Sequence, residues 1–270
     1  MHYNYAMTKQ VVFFGSSEFS VVVLEKLLSA EGCVLRAVVT TPDQPVGRHL
    51  KLTPNPVKAF AQKHNIPVLT SMNYELITMN HQPIGLVAAY GKIIPQSVID
   101  AFGEKIYNIH PSFLPKYRGP SPLQQQILDG ITETGVTIIK LDSAVDHGPI
   151  VAQVKDKILP NDTTQSLGNR LFANGASLFL SQLRKEVPFK AKSQNNSLAT
   201  YTHKLTRQDG FVPWEQFKPE QLDRQFRAYF PWPGVWTTTP QCQRLKLIAL
   251  QPHILVQLEG KTPQPWPIQN

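Results

Sequence analysis

Short apolar segments alternate with amphipathic segments over the first two-thirds of the chain, and this alternation restricts the possible folds most strongly. The apolar segments predict β-strands at residues 10–14, 34–40, 67–69, 86–89, 106–110, 136–141 and 150–157. The amphipathic segments predict helices at 18–28, 54–64, 95–102, 121–128 and 164–183. Such alternation is typical of a mostly parallel sheet with helices on both faces. We therefore predict an α/β fold with a doubly wound, Rossmann-like sheet.

Four candidate site residues lie where the predicted strands end. Ligands of doubly wound sheets bind beyond the carboxyl ends of the strands. The residues at these ends are Gly15, Tyr90, Asn108 and His110. We therefore expect them to lie along one edge of the sheet, beside a ligand.

The last third of the chain has a different composition. A polar stretch over 187–199 indicates a linker. A helix is predicted at 219–229, followed by three short strands at 235–239, 244–250 and 254–258, which are few for a closed barrel. We expect the final residues, rich in Pro and Gln, to be frayed. The predicted domains are a catalytic domain at 1–189, a linker at 190–206 and a small β domain at 207–270.

Composition excludes several classes of protein. Hydrophobic residues make up 41% of 270 residues, enough for one large domain and a small one. The two cysteines, Cys33 and Cys242, lie far apart, which favours neither a disulfide framework nor a zinc site and fits a reducing cytosol. No apolar run approaches the roughly 20 residues that span a bilayer. The N-terminus lacks the pattern of a signal peptide, so a cytoplasmic protein is expected, with Met7 as an alternative start.

The chain is strongly basic, with a net charge of +8 and a pI of about 9.4. A positive surplus of this size favours polyanionic partners, nucleic acid first. An ordinary basic protein without such a partner is equally compatible with the charge. The charge alone therefore does not identify the bound anion.

The Asn108-Ile109-His110 segment closes a predicted strand. Side chains at i and i+2 of a strand point to the same face, so the amide and the imidazole would share one pocket. A donating amide can stabilise an oxyanion, and an imidazole can transfer protons. The alternative is a polar pair that merely ends a strand.

Asp146 lies in a loop between two predicted strands and could orient the imidazole of His110. An aspartate before a glycine is also common in turns, and Asp142 is a competing candidate. The sequence pattern leaves these alternatives open.

Two loops carry further candidate binding residues. The segment SFLPKYRG at 112–119 combines apolar residues that could wall a flat heterocycle with the cations Lys116 and Arg118, although it could equally be a surface loop. The basic segment TPDQPVGRHLK at 41–51 suits a phosphate backbone. The turn after the first strand lacks a full G-x-G-x-x-G motif, and no metal-ligand cluster is present.

The order of these segments is more specific than any one of them. The segments are FGS with Phe19, TPDQPVGRHLKLTPNPVK, AAYGKIIP, NIHPSFLPKYRG, ETGVTIIKLD with DHGPIVAQ, and RAYFPWPGVW. They lie between Val11 and Trp236, over most of the chain. In this order they resemble the methionyl-tRNA formyltransferase family within the folate-dependent formyltransferase superfamily.

The resemblance implies a role for each matching position. The catalytic residues would be Asn108, His110 and Asp146. The folate-binding residues would be Tyr90, Gly91, Ser112, Phe113, Leu114 and Pro115. The substrate- or tRNA-binding residues would be Gly15, Ser16, Arg48, His49, Lys51 and Arg118. The donor would be 10-formyltetrahydrofolate, the acceptor initiator methionyl-tRNA for translation initiation, and the enzyme a metal-free monomer.

The C-terminal part departs from the family pattern. Only residues 207–270 follow Thr206, so we expect a shortened OB-like domain with fewer tRNA contacts. The main alternative function is formylation of an amino sugar or another small amine. A formyltetrahydrofolate hydrolase and a basic RNA-binding protein without catalysis are further alternatives.

Overall fold

The computed structural model describes residues 8–46, 50–71, 83–185 and 188–267. The chain forms two compact units. The first unit comprises Met1–Arg118, Thr134–Asp156 and Gly168–Tyr201, and the second comprises Gly119–Glu133, Lys157–Leu167 and Thr202–Asn270. The predicted domain boundaries at 189 and 206 remain a prediction.

The elements of the first two-thirds follow the predicted alternation. The strands are β1 (Lys9–Phe14), β2 (Cys33–Val39), β3 (Gln44–Val46), β4 (Lys51–Thr53), β5 (Val68–Leu69), β6 (Ile84–Ala88), β7 (Ile106–His110), β8 (Glu133–Lys140) and β9 (Ile150–Lys157). The helices are α1 (Glu18–Leu28), α2 (Pro56–Lys63), α3 (Gln96–Ala101), α4 (Pro122–Leu128) and α5 (Thr164–Leu183). Among the described residues, no helix is both long and apolar enough to cross a membrane.

Seven strands form one sheet in the order β5-β2-β1-β6-β7-β8-β9. The pairs from β5 to β7 are parallel, and β8 runs antiparallel to β7. The chain moves outward from β1 to one edge and then returns to β6 on the other side of β1. This reversal is a topological switch point, where doubly wound folds bind ligands. The predicted mostly parallel α/β sheet is confirmed.

The central strands are buried on both faces, as parallel strands must be. Residues 11–14 of β1 are fully buried, and every residue of β6 is buried. The turn after β1 is fixed to the end of β6, because the buried hydroxyl of Ser20 donates to the Ala88 carbonyl at 2.7 Å. Ser17 and Ser20 also cap the start of α1. These contacts hold the ends of β1 and β6 side by side.

The C-terminal part of the second unit contains helix α6 (Asp223–Tyr229) and a small antiparallel sheet. Its strands are β10 (Trp236–Thr238), β11 (Arg244–Ala249), β12 (Leu255–Leu258) and β13 (Gln264–Pro265). The predicted helix over 219–229 begins only at Asp223, because Pro219–Gln221 forms a separate 3-10 turn.

The sequence predicted three strands followed by frayed residues. This was wrong, because a fourth strand, β13, follows them. β13 pairs with β12, and the Trp266 backbone N–H donates to the Ile254 carbonyl at 3.0 Å. The Trp266 ring packs edge-on against Phe217 at 5.8 Å and Trp214 at 6.3 Å. This aromatic packing anchors a segment whose Pro and Gln content gave no strand signal.

Candidate active site

The end of β7 presents Asn108 and His110 on one face. The residue between them, Ile109, is 1% exposed and turned into the protein. Gly175 of α5 lies so close to it that a β-carbon there would stand 2.4 Å from the Ile109 Cγ2 atom. The position of β7 is therefore set by close packing behind the two polar side chains.

The carboxylate of Asp146 joins these two side chains. Its Oδ1 accepts a hydrogen bond from Asn108 Nδ2 at 3.2 Å, and its Oδ2 lies 3.5 Å from His110 Nδ1. The side chains of His110 and Asp146 are only 5% and 12% exposed. Asp142, the competing candidate, instead pairs with His147 Nδ1 at 2.7 Å. The structure thus brings together the three residues that the motifs indicated.

The other ring nitrogen of His110 also faces an acceptor. Its Nε2 lies 2.8 Å from the backbone carbonyl of Tyr117. Each ring nitrogen therefore has an oxygen acceptor beside it, an arrangement that an imidazolium satisfies with both of its N–H groups. The two acceptors fix the orientation of the ring, and a proton passed to or from a substrate would have to use a nitrogen that exchanges its acceptor.

A cavity of about 150 Å³ opens beside Asn108 and Asp146. Its apolar wall includes Val87, Ile93, Ile94, Ile99 and Leu141. Lys92 and residues 142–145 complete the lining, and of these wall residues only Asp142 was a candidate from the sequence. A signal was present for most of them, because Lys92, Ile93, Ile94 and residues 141–145 lie in the segments AAYGKIIP and LDSAVDHG, beside Tyr90-Gly91 and Asp146. The cavity has the mixed apolar and polar lining of a small-ligand pocket.

The predicted residues at the ends of β1 and β6 also meet. The hydroxyl of Ser16 donates to the Tyr90 carbonyl at 2.8 Å. Tyr90 is 4% exposed, and burial raises the pKa of its hydroxyl. Gly91 has a φ of +72°, which favours glycine. Gly15 is packed so tightly that a β-carbon would stand 2.5 Å from the Phe13 ring. These residues line the switch point between β1 and β6.

The loop over 112–115, predicted to contact folate, is held in place by hydrogen bonds to the buried hydroxyl of Thr137. This hydroxyl donates to the Ser112 carbonyl at 2.7 Å and accepts from the Leu114 N–H at 3.1 Å. Ser112 and Leu114 are buried and Pro115 is half-buried, whereas Phe113 is 38% exposed. Phe113 is therefore the side chain of this loop that is free to touch a ligand.

The cations predicted to bind the acceptor differ in their exposure to solvent. Arg118 is 1% exposed, and its guanidinium donates to Gln194 and Asn196 rather than reaching toward solvent. The predicted role of Arg118 in substrate or tRNA binding stays a prediction. Lys51 is exposed on β4, in the β3–β4 hairpin. Arg48 and His49 lie outside the described residues.

The described ranges contain no group of three or more His, Cys, Asp or Glu side chains that could hold a metal ion. The chemistry that the site itself offers is hydrogen bonding and proton transfer by the amide, the imidazole and the carboxylate.

Comparison with known proteins defines the class to which this fold and site belong. The model of the family "Formyl transferase" matches residues 8–183, and that of the "Formyl transferase, C-terminal domain" matches residues 204–263. The chain therefore belongs to the formyl transferase family and is a formyltransferase enzyme.

Its relatives within that family carry a more specific name. A methionyl-tRNA formyltransferase of Chloroflexus aggregans is 40% identical over 236 residues, covering 84% of this chain and 76% of the relative. One of Dehalococcoides mccartyi is 37% identical over 254 residues, covering 91% of this chain and 80% of the relative. The resemblance that the motifs indicated is confirmed.

A solved structure shares the fold at lower identity. A sugar 3N-formyl transferase, solved with dTDP and 5-N-formyl-THF, is 20% identical. Its TM-score is 0.61, and the match covers 95% of this chain and 99% of that one. The likeness extends over both parts of the chain and concerns the fold alone.

Proposed function

We propose that this formyltransferase moves a formyl group from 10-formyltetrahydrofolate to the amino group of initiator methionyl-tRNA. The observation that carries the proposal is the contact of Asp146 with both Asn108 and His110 beside a cavity at the sheet edge. The names of the relatives at 37–40% identity support the acceptor. We further infer that the protein acts as a monomer in the cytoplasm.

The three side chains divide the chemistry of the transfer. The neutral amine of methionine attacks the formyl carbon, which forms a C–N bond and places negative charge on the formyl oxygen. The Asn108 amide donates to this oxyanion, and its other contact with Asp146 fixes its orientation. Protonated His110 donates to the same oxygen if its Nε2–H exchanges the Tyr117 carbonyl for the oxyanion. Alternatively, the same nitrogen relays the amine proton to N10 of the folate as the bond from N10 to carbon breaks. Asp146 orients the ring in either case.

The cavity beside Asn108 suits the folate donor. Ile93 and Ile94 supply apolar surface for a flat heterocycle, and the loop over 141–146 brings backbone and carboxylate groups to its edge. In this arrangement a donor in the cavity presents its formyl group to the end of β7. The structural relative solved with 5-N-formyl-THF supports a folate as donor for this fold.

The charge of the protein suits a tRNA acceptor. The net charge is +8, and Lys51, Lys204 and Arg207 are exposed. Exposed cations neutralise phosphates and steer a polyanion, whereas a small amine needs no such surplus. The basic loop around Arg48 adds to this charge in the sequence.

The acceptor is tested by competition. The purified protein is mixed with formyl-labelled 10-formyltetrahydrofolate and offered initiator methionyl-tRNA, uncharged tRNA or a nucleotide-linked amino sugar. We expect label on methionyl-tRNA only, because uncharged tRNA lacks the reacting amine. Transfer to the amino sugar without transfer to methionyl-tRNA would overturn the proposal.

A further inference from the structure

Both residues that contact the His110 ring have left-handed backbone conformations. The φ angles are +50° at Asp146 and +61° at Tyr117, although neither residue is a glycine. Such conformations are unfavourable for residues with side chains and persist where neighbouring groups restrain them. The placement of the two acceptors beside the imidazole therefore depends on what holds these two loops.

Gln194 holds the loop that carries Asp146. Its Nε2 group donates two hydrogen bonds, to the Asp146 carbonyl at 2.8 Å and to the Gly148 carbonyl at 2.8 Å. The two carbonyls lie on either side of His147, so one carboxamide spans the end of the loop. This fixes the backbone from which the catalytic carboxylate projects.

Arg118 fixes the orientation of the Gln194 amide. Its Nη2 and Nε groups donate to Gln194 Oε1 at 2.7 Å and 3.1 Å. A guanidinium only donates and a carbonyl only accepts, so the amide has a single orientation that satisfies all four contacts. Arg118 is 1% exposed, which strengthens these charge-assisted bonds.

The same segment also restrains the loop on the other side of the ring. Thr200 accepts from the Tyr117 N–H through its Oγ1 at 2.8 Å, and from the Arg118 N–H through its carbonyl at 2.8 Å. Residues 194–200 therefore contact both loops that flank His110. The sequence interpretation treated this segment as a linker, and it lies between the ranges that the two family models match.

We propose that Gln194 is a positioning residue, which, oriented by Arg118, holds the Asp146 carboxylate against Asn108 and His110. The inference rests on the proposed catalytic role of Asp146. The Gln194 amide bonds to the backbone carbonyls of Asp146 and Gly148, so it acts on the catalytic carboxylate through the loop backbone. Its loss should slow the chemical step more than it weakens the binding of the donor, whose proposed cavity the loop also lines.

The substitution Gln194→Glu isolates this role. The carboxylate keeps the size of the side chain and still accepts from Arg118, but it cannot donate to the two loop carbonyls. We expect kcat to fall on the order of tenfold or more, with a smaller change in the KM for 10-formyltetrahydrofolate and almost none in the KM for methionyl-tRNA. The matched control is Asn195→Ala, because Asn195 is exposed and bonds locally to Ser197. Its kcat should stay at the wild-type value.

A wild-type kcat in Gln194→Glu would overturn the proposal, because the two hydrogen bonds to the loop carbonyls would then not be needed to position Asp146. A second measurement uses the unmodified protein and so does not depend on the variant folding. In its NMR spectrum the side-chain NH₂ protons of Gln194 should exchange with water more slowly than those of exposed Gln62. Equally fast exchange would contradict the proposal, whereas an inactive wild-type protein would count against the proposed acceptor only.

Discussion

The carboxylate of Asp146 and the imidazole of His110 face each other across 3.5 Å, from Oδ2 to Nδ1. His110 ends β7 and Asp146 lies in the loop between β8 and β9, and the pair is nearly buried. The carboxylate also bonds to Asn108 through its other oxygen, so one group orients both the amide and the imidazole. A formyl group held beside β7 would therefore meet a donor for its oxygen, and the attacking amine would meet an acceptor for its proton.

Asn108→Ala removes the amide that we assign to the oxyanion. We expect the rate of formyl transfer to fall about 10²- to 10³-fold, the usual loss for one oxyanion donor. The melting temperature should stay close to the wild-type value. Single-turnover transfer at saturating donor measures the effect, and near-normal turnover would remove Asn108 from the mechanism.

Gly175→Ala tests the packing that positions β7. A β-carbon at this site would lie 2.4 Å from Ile109 Cγ2 and 3.0 Å from Val136 Cγ2, and both side chains are stiff at Cβ. Overpacking of this kind costs about 1–3 kcal/mol in the free energy of unfolding, against about 1 kcal/mol gained in helix propensity. Urea titration should show a lower midpoint.

The control for this substitution is Ser177→Ala, at an exposed position of the same helix. Its midpoint should remain near that of the wild-type protein. A Gly175→Ala protein as stable as this control would mean that β7 and α5 tolerate a wider separation.

Asp209 makes stability depend on pH. Burial raises the pKa of this carboxyl, but hydrogen bonds from Thr206 and the pairing with His203 outweigh it and lower the pKa from 3.8 to about 2. Since the pKa is lower in the folded state, the carboxylate stabilises the fold above about pH 4, and this contribution is lost as the pH falls toward 2.

Asp209→Asn should accordingly lower the free energy of unfolding at pH 7 by roughly 1 kcal/mol, the size of a lost capping interaction. The difference from the wild-type protein should shrink as the pH falls below 4 and disappear only below about 2. Denaturant titrations at a series of pH values measure it. A difference that is constant down to pH 2 would show that the charge of Asp209 is not the cause.

Binding of tRNA should depend steeply on salt. If exposed cations neutralise phosphates, log affinity falls linearly with log salt, with a slope of about −0.9 for each phosphate contacted on a duplex. Fluorescence titration of labelled initiator tRNA at several salt concentrations gives this slope. A flat response would contradict the role proposed for the exposed cations.

The sheet and the central site residues could be predicted from the sequence because their signals are local. The strand over 106–110 and the helix over 164–183 have the observed bounds of β7 and α5. The i, i+2 spacing of Asn108 and His110 was enough to place both on one face. Asp146 and Asp142 could not be separated by spacing, since the choice depends on which carboxylate the loop turns inward.

The features that escaped prediction depend on contacts between distant parts of the chain. Gln194 bonds to Asp146 across 48 positions of the chain, and Arg118 bonds to Gln194 across 76. A polar stretch and a cation in a loop both suggest solvent exposure, and only the folded chain shows that they bond to each other. The strand β13 was missed for a similar reason, because aromatic packing around Trp266 overrides its weak local propensity.

The central claim is that formyl transfer requires the Asp146 carboxylate, which orients His110 and Asn108. Asp146→Asn and Asp142→Asn form a matched pair, since the same change is made in one loop but only Asp146 contacts His110 and Asn108. The measurement is the single-turnover rate of formyl transfer to methionyl-tRNA at saturating 10-formyltetrahydrofolate. We predict a loss of at least about 10²-fold for Asp146→Asn and a rate close to wild type for Asp142→Asn. The reverse order, or an active Asp146→Asn protein, would contradict the account.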